Sequence, residues 1–126
     1  MAWAVDPVSD VPPSRQLVEA VLDAVAAGEI AVGDPLPSVR KLAAEALVNH
    51  NTVARAYRDL EHLGITAGRA GLGVFVTQGG PEIARGERRE ATLRAFERAL
   101  FEALRAGHDP AALERLLVRA RERKSA

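Results

Sequence analysis

Apolar residues fall at helical spacing in Leu17, Val18, Val21, Leu22 and Val25, and Gly28 follows as a natural residue just past a helix end. The pattern predicts a first amphipathic helix over residues 15–27. A second helix is predicted after Ser38, whose hydroxyl can cap it, with Val39, Leu42 and Ala46 on its inner side. Leu47-Val48 then make a turn, and Asn49 is a suitable cap for a third helix. In that third helix Val53, Ala56, Tyr57, Leu60 and Leu63 repeat at i, i+3, i+4, i+7 and i+10, which turns one face to a core. The opposite stripe holds Asn51, Arg55, Arg58 and His62.

Beyond the third helix the period changes. Residues 65–67 and 74–77 are predicted to pair as short strands around the loop Gly68-Arg69-Ala70-Gly71-Leu72-Gly73. Gly79-Gly80-Pro81 then marks a boundary. Past it, Leu93, Phe96, Leu100 and Leu104 return to helical spacing up to Gly107, and Asp109-Pro110 opens another helix carrying Leu113, Leu116, Leu117 and Ala120. Two short helices, a tight link and a hairpin are the layout of a winged helix-turn-helix. The expected fold is therefore mainly α with a small β-hairpin: an N-terminal arm and winged domain over residues 1–78, then a two-helix unit over 79–126.

At the N-terminus Pro7, Pro12 and Pro13 disfavour helix, so residues 3–14 read as an extended arm in which Trp3 anchors to the core. The two C-terminal helices cannot bury their apolar stripes alone. Pairing with a second copy is expected, with Leu93, Phe96, Leu100, Leu104, Leu113, Leu116 and Leu117 as the seam. The basic end, Arg119, Arg121, Arg123 and Lys124, reads as a solvated helix terminus.

Composition removes several classes of function. With 126 residues and 48% apolar content there is room for one modest core and a small appended unit. There is no cysteine, so a disulfide framework, a zinc-thiolate site and a thiol nucleophile are all absent. His50, His62 and His108 are too scattered for a metal site, and nothing in the sequence calls for a cofactor. No apolar run reaches the length of a membrane span and no signal-peptide pattern opens the chain, so a cytoplasmic protein is expected.

The formal charge is zero, but its distribution is uneven. Residues 1–37 carry one basic and six acidic side chains, a net −5; residues 38–77 carry five and three, a net +2; residues 78–126 carry eleven and eight, a net +3. The predicted reading region is thus locally basic. A polar helix face is usually just solvated. This one contains no acid, and its start offers amide and guanidinium groups suited to base edges, with Asp59 and Glu61 alongside. At the hairpin, glycines let backbone approach phosphate and Arg69 is placed to enter a minor groove. A nucleotide cradle is rejected, because no helix begins after these glycines to hold an anion.

Leu36-Pro37-Ser38-Val39-Arg40, Asn51-Thr52-Val53, Ala56-Tyr57 and Gly71-Leu72-Gly73-Val74-Phe75-Val76 together resemble the GntR family of bacterial transcription regulators. The likeness runs from about Asp6 to Thr77 and includes Gln16-Leu17. The short two-helix tail is similar to the YtrA-like subfamily, whose members are dimers without a large effector domain and often regulate transporter operons. The resemblance implies base and backbone contacts from Arg40, His50, Asn51, Thr52, Arg55, Arg69 and Gly71. Lys41 and Arg58 would be phosphate contacts, and Tyr57 a core residue with its hydroxyl on a phosphate. Pro13-Ser14, Lys41, Ala70 and Leu72 depart from the family pattern.

The resemblance implies a homodimeric regulator of double-stranded DNA, expected to repress from an inverted-repeat operator; no small-molecule effector is specified. The rival is a winged-helix protein-interaction module, since the fold alone does not guarantee DNA binding. That rival requires an apolar outer face on the third helix, where Asn51 and Arg55 stand instead. An enzyme is not expected, because no nucleophile clusters with a base.

Overall fold

The computed structural model describes residues 3–125. Its elements run α1 (Pro13–Ala26), α2 (Val39–Ala46), α3 (His50–Leu63), β1 (Thr66–Arg69), β2 (Gly73–Val76), α4 (Gly80–Arg105) and α5 (Pro110–Ser125). The chain forms two compact units, Met1–Arg89 and Glu90–Ala126. The mainly helical fold with one small hairpin agrees with the sequence pattern.

In the first unit α1, α2 and α3 surround a core of Leu17, Val18, Val21, Leu22, Val25, Leu42, Val53, Leu60 and Ile65, each almost fully removed from solvent. Truncating one such leucine to alanine typically costs about 2 to 5 kcal/mol. Trp3 and Leu36 close the same core from the arm and from the segment before α2. α1 starts two residues earlier than the periodicity predicts. Pro13 takes the first helical position, where a missing N–H loses nothing, so a proline that reads as arm in the sequence opens the helix instead. Gln16 holds the arm down: its side-chain amide donates to the Asp6 and Val11 carbonyls at 3.0 and 2.9 Å and accepts from Asp6 N–H at 2.8 Å.

The helix ends around the turn follow from local chemistry. Ser38 Oγ accepts from Lys41 N–H at 3.1 Å, and Asn49 Oδ1 accepts from Asn51 N–H at 2.7 Å. At the end of α3 Gly64 has φ +87°, and its N–H and that of Ile65 turn back to the Glu61 and Leu60 carbonyls, both at 3.0 Å. This reversal delivers Ile65 to the core and starts the hairpin. The end of α2 has the same kind of reversal, but Leu47 occupies the left-handed position, with φ 57° and ψ 48°. It is the only non-glycine with positive φ among the described residues.

β1 and β2 pair antiparallel with Thr66 opposite Val76, Ala67 opposite Phe75, Gly68 opposite Val74 and Arg69 opposite Gly73. The ladder therefore runs closer to the tip than expected, leaving a loop of Ala70, Gly71 and Leu72. The far edge of β2 is also occupied: Gly33 and Leu36 N–H donate to Val76 and Val74 carbonyls at 2.9 Å, Val76 N–H donates to Asp34, and Pro35 bridges Phe75.

Gly79-Gly80-Pro81 does not release the chain into a linker. α4 starts at Gly80, where a Cβ would lie 2.8 Å from the Ile65 carbonyl oxygen, so glycine is required by close approach. Ala84 is buried, Arg88 pairs with Asp23 of α1, and the first compact unit extends to Arg89.

In the second unit the rest of α4 and α5 turn their apolar sides toward a shared groove of about 290 Å³ lined by Phe96, Leu100, Leu113, Leu116 and Leu117. The groove is open: Phe96 is 54% and Leu117 62% exposed.

Candidate nucleic-acid interface

The two faces of α3 separate as its period requires. Val53, Ala56, Tyr57 and Leu60 are buried, while His50, Asn51, Arg55, Arg58 and His62 are exposed; Thr52 lies between. Asn49 caps the first turn, and the free N–H groups at a helix start carry partial positive charge. The exposed end that holds His50 and Asn51 is thus electropositive through its backbone.

Arg40 and Lys41 are exposed in the first turn of α2, which packs on α3. Among the described residues, Arg40, Arg55 and Arg58 have no acidic partner. Three other basic side chains of the same unit do: Arg15 pairs with Glu19, Lys41 with Glu45 at 4.0 Å, and Arg88 with Asp23. An exposed guanidinium without an internal partner keeps all of its donors for an external acceptor. Arg69 is exposed on the hairpin with its guanidinium 4.7 Å from the centre of the Phe75 ring, and Gly71 is exposed at the tip with φ +75°.

Tyr57 requires a correction. Its side chain is 7% exposed and its hydroxyl donates to the Pro37 carbonyl at 2.6 Å. Burial, reinforced by the negative charge of Glu45, pushes the phenol well above its ordinary ionisation range. The proton that a phosphate contact would need is already given to Pro37. Tyr57 thus ties α3 to the turn ahead of α2 rather than reaching outward.

Two features of the region escape the sequence patterns. The Arg69–Phe75 pair depends on strand register, although alternation of inward Val74 and Val76 already sends Phe75 outward. Leu47 is conformationally strained at the helix-turn-helix junction, and nothing in its own identity signals a left-handed backbone. Among the described residues there is no metal-binding cluster and no helix long and apolar enough to cross a membrane.

A packed three-helix unit with a hairpin wing and a polar, basic exposed face on its third helix is a winged helix-turn-helix. The family model for bacterial regulatory proteins, gntR family, matches residues 13–76, and the chain belongs to that family. It is YtrA-like. It is 36% identical over 74 residues to the HTH-type transcriptional repressor YtrA of Bacillus subtilis, covering 59% of this chain and 57% of the relative. It is 43% identical over 77 residues to the HTH-type transcriptional regulator Rv1152 of Mycobacterium tuberculosis, covering 61% and 64%. The matched part thus spans less than two thirds of each relative. Among solved structures, a transcriptional regulator from Oenococcus oeni superposes with a TM-score of 0.72 at 26% identity, covering 92% of this chain and 96% of that one. These relatives are named as regulators, not as enzymes.

Proposed function

We propose that the chain is a sequence-specific DNA-binding transcription regulator that binds an inverted-repeat operator as a homodimer and represses by occupying it. The observation that carries the reading is the exposed face of α3: Asn51, Arg55 and Arg58 stand on one helix face, neither guanidinium has an acidic partner among the described residues, and the opposite face is locked in the core. Asn51 and Arg55 would read base edges in the major groove, and Arg40, Lys41, His50, Thr52 and Arg58 would fix the register through backbone and phosphate. Arg69 and Gly71 would flank the groove from the wing.

Homodimerisation would use the open groove of the second unit, where Phe96, Leu100, Leu104, Leu113, Leu116 and Leu117 supply the apolar surface, together with the exposed Leu93. A two-fold dimer presents two equivalent recognition helices, so half-site centres should lie about 10 base pairs, or a multiple, apart. A transporter operon is the target that the subfamily resemblance implies. Repression follows the name carried by the YtrA relative of Bacillus subtilis.

A selection from random-sequence duplex DNA tests the reading. The unaltered chain should recover an inverted repeat with the half-site spacing above and bind it far more tightly than a shuffled duplex. Equal affinity for both, or no binding, would move the reading to a protein-interaction module.

A further inference from the structure

We infer that Phe75 is a positioning residue for Arg69, a rigid platform that holds the wing guanidinium in place for DNA before binding; the inference rests on the DNA-binding reading above. Register supplies the reason. Thr66 and Val76 are buried on the inner side of the hairpin, with Val74 half-buried beside them, which leaves Ala67, Arg69, Gly73 and Phe75 on the outer side. Of these four, Ala67 is small and Gly73 has no side chain. Arg69 lies directly opposite Gly73, so nothing across the ladder props the arginine where it stands. Phe75 is its diagonal neighbour on the same face, and the guanidinium comes to rest 4.7 Å from the ring centre. Gly73 has φ +116°, a backbone conformation that favours glycine, so the position opposite Arg69 stays bare.

The platform itself is fixed. Phe75 sits in the middle of β2, which is hydrogen-bonded along both edges, to β1 on one side and through the Pro35 bridge to the segment before α2 on the other. The ring is half-buried while Arg69 is exposed. A planar guanidinium stacks on an aromatic face without giving up its in-plane N–H donors, so the stacked arginine still presents them outward. An unsupported arginine would have to lose its rotamer freedom on binding; a stacked one has lost part of it already.

The test uses the full chain and a fluorescent duplex carrying the sequence it selects from a random pool. Phe75→Leu keeps an apolar side chain but removes the ring, and should weaken binding about two- to fivefold per wing, the size of an exposed cation–π contact. Phe75→Tyr should restore the affinity. In an Arg69→Ala background Phe75→Leu should cost nothing further, because the ring has nothing left to hold. In the free protein, the Arg69 δ-methylene protons should be shifted upfield by the ring in the unaltered and Phe75→Tyr chains and not in Phe75→Leu. Equal losses with and without Arg69, or no loss at all, would overturn the role of Phe75 while leaving DNA binding intact. If the unaltered chain selects no sequence, the DNA reading fails first and the role of Phe75 falls with it.

Discussion

The Tyr57 hydroxyl donates to the Pro37 carbonyl at 2.6 Å, joining the middle of α3 to the turn that launches α2. The two helices of the motif are thereby held in register at a point that apolar packing alone does not define. The bond also assigns the aromatic ring and its polar tip separate duties, the ring to the core and the tip to the backbone.

Replacing Tyr57 with phenylalanine should therefore cost stability by about 1 kcal/mol, the net worth of one hydrogen bond, and leave the DNA salt dependence unchanged. The pH response is distinctive because Tyr57 is the only tyrosine in the chain. Its folded ionisation lies above the ordinary value of 10.0. Above that pH the unfolded chain gives up the phenolic proton while the folded chain retains it, so the folded state binds more protons and stability falls as pH rises. Below pH 10 this contribution is fully present. Ultraviolet titration of the folded protein should show no tyrosinate near pH 10, and normal titration there would remove the buried bond from the account.

Leu47 offers a gain in stability. A left-handed backbone costs an L-residue with a Cβ about 1 to 2 kcal/mol, whereas glycine adopts it freely. The Leu47 side chain is 90% exposed, so little packing is lost with it. Leu47→Gly should raise stability by about 0.5 to 1 kcal/mol after the extra entropy of glycine in the unfolded chain is subtracted. Leu47→Val should lower it, since a β-branched residue fits the conformation worse. The denaturant midpoint at constant slope is the measurement, and a glycine variant no more stable than the original would show that Leu47 is not strained.

The core was the legible part of this chain, and the reason is geometric. Val53, Ala56, Tyr57 and Leu60 repeat at the helical period, so their common burial follows from spacing, and the polar stripe of Asn51, Arg55 and Arg58 follows with it. Glycine is less informative. Gly79-Gly80 resembles a break in sequence, yet Gly80 is a contact point, because the absence of a side chain signals close approach and free linkage alike. The Arg69–Phe75 stack depends on a diagonal across one particular register, and Phe101 and Val118 are exposed apolar residues that fall outside the expected seam.

Base reading and phosphate contact should be separable at α3. A bidentate contact to a base discriminates by about 1 to 3 kcal/mol, so Arg55→Ala should narrow the gap between selected and shuffled DNA. Arg58→Ala and Lys41→Ala should instead weaken both alike and reduce the salt slope by about one unit each. Lys41 already has Glu45 as a weak exposed partner, so its loss should be the smaller of the two. Parallel loss on both DNAs for Arg55→Ala would reassign it to a phosphate.

The groove between α4 and α5 carries the last prediction. Leu100 is half-buried there beside Leu113 and Leu117, whereas Phe96 and Leu116 remain more than half exposed. A single copy gains little from keeping so much apolar surface in water, and two copies related by a two-fold axis would remove it from solvent together. Leu100→Glu should disrupt such a dimer more than Leu100→Ala, because each interface would bury two unpaired carboxylates instead of two small voids. The winged unit has its own core from Leu17 to Ile65 and should keep its circular dichroism and its melting transition. In sedimentation the glutamate variant should run as a monomer, and its affinity for the inverted repeat should fall toward that for an isolated half-site. An unaltered chain that sediments as a monomer at micromolar concentration while retaining full affinity for the repeat would sink the dimer.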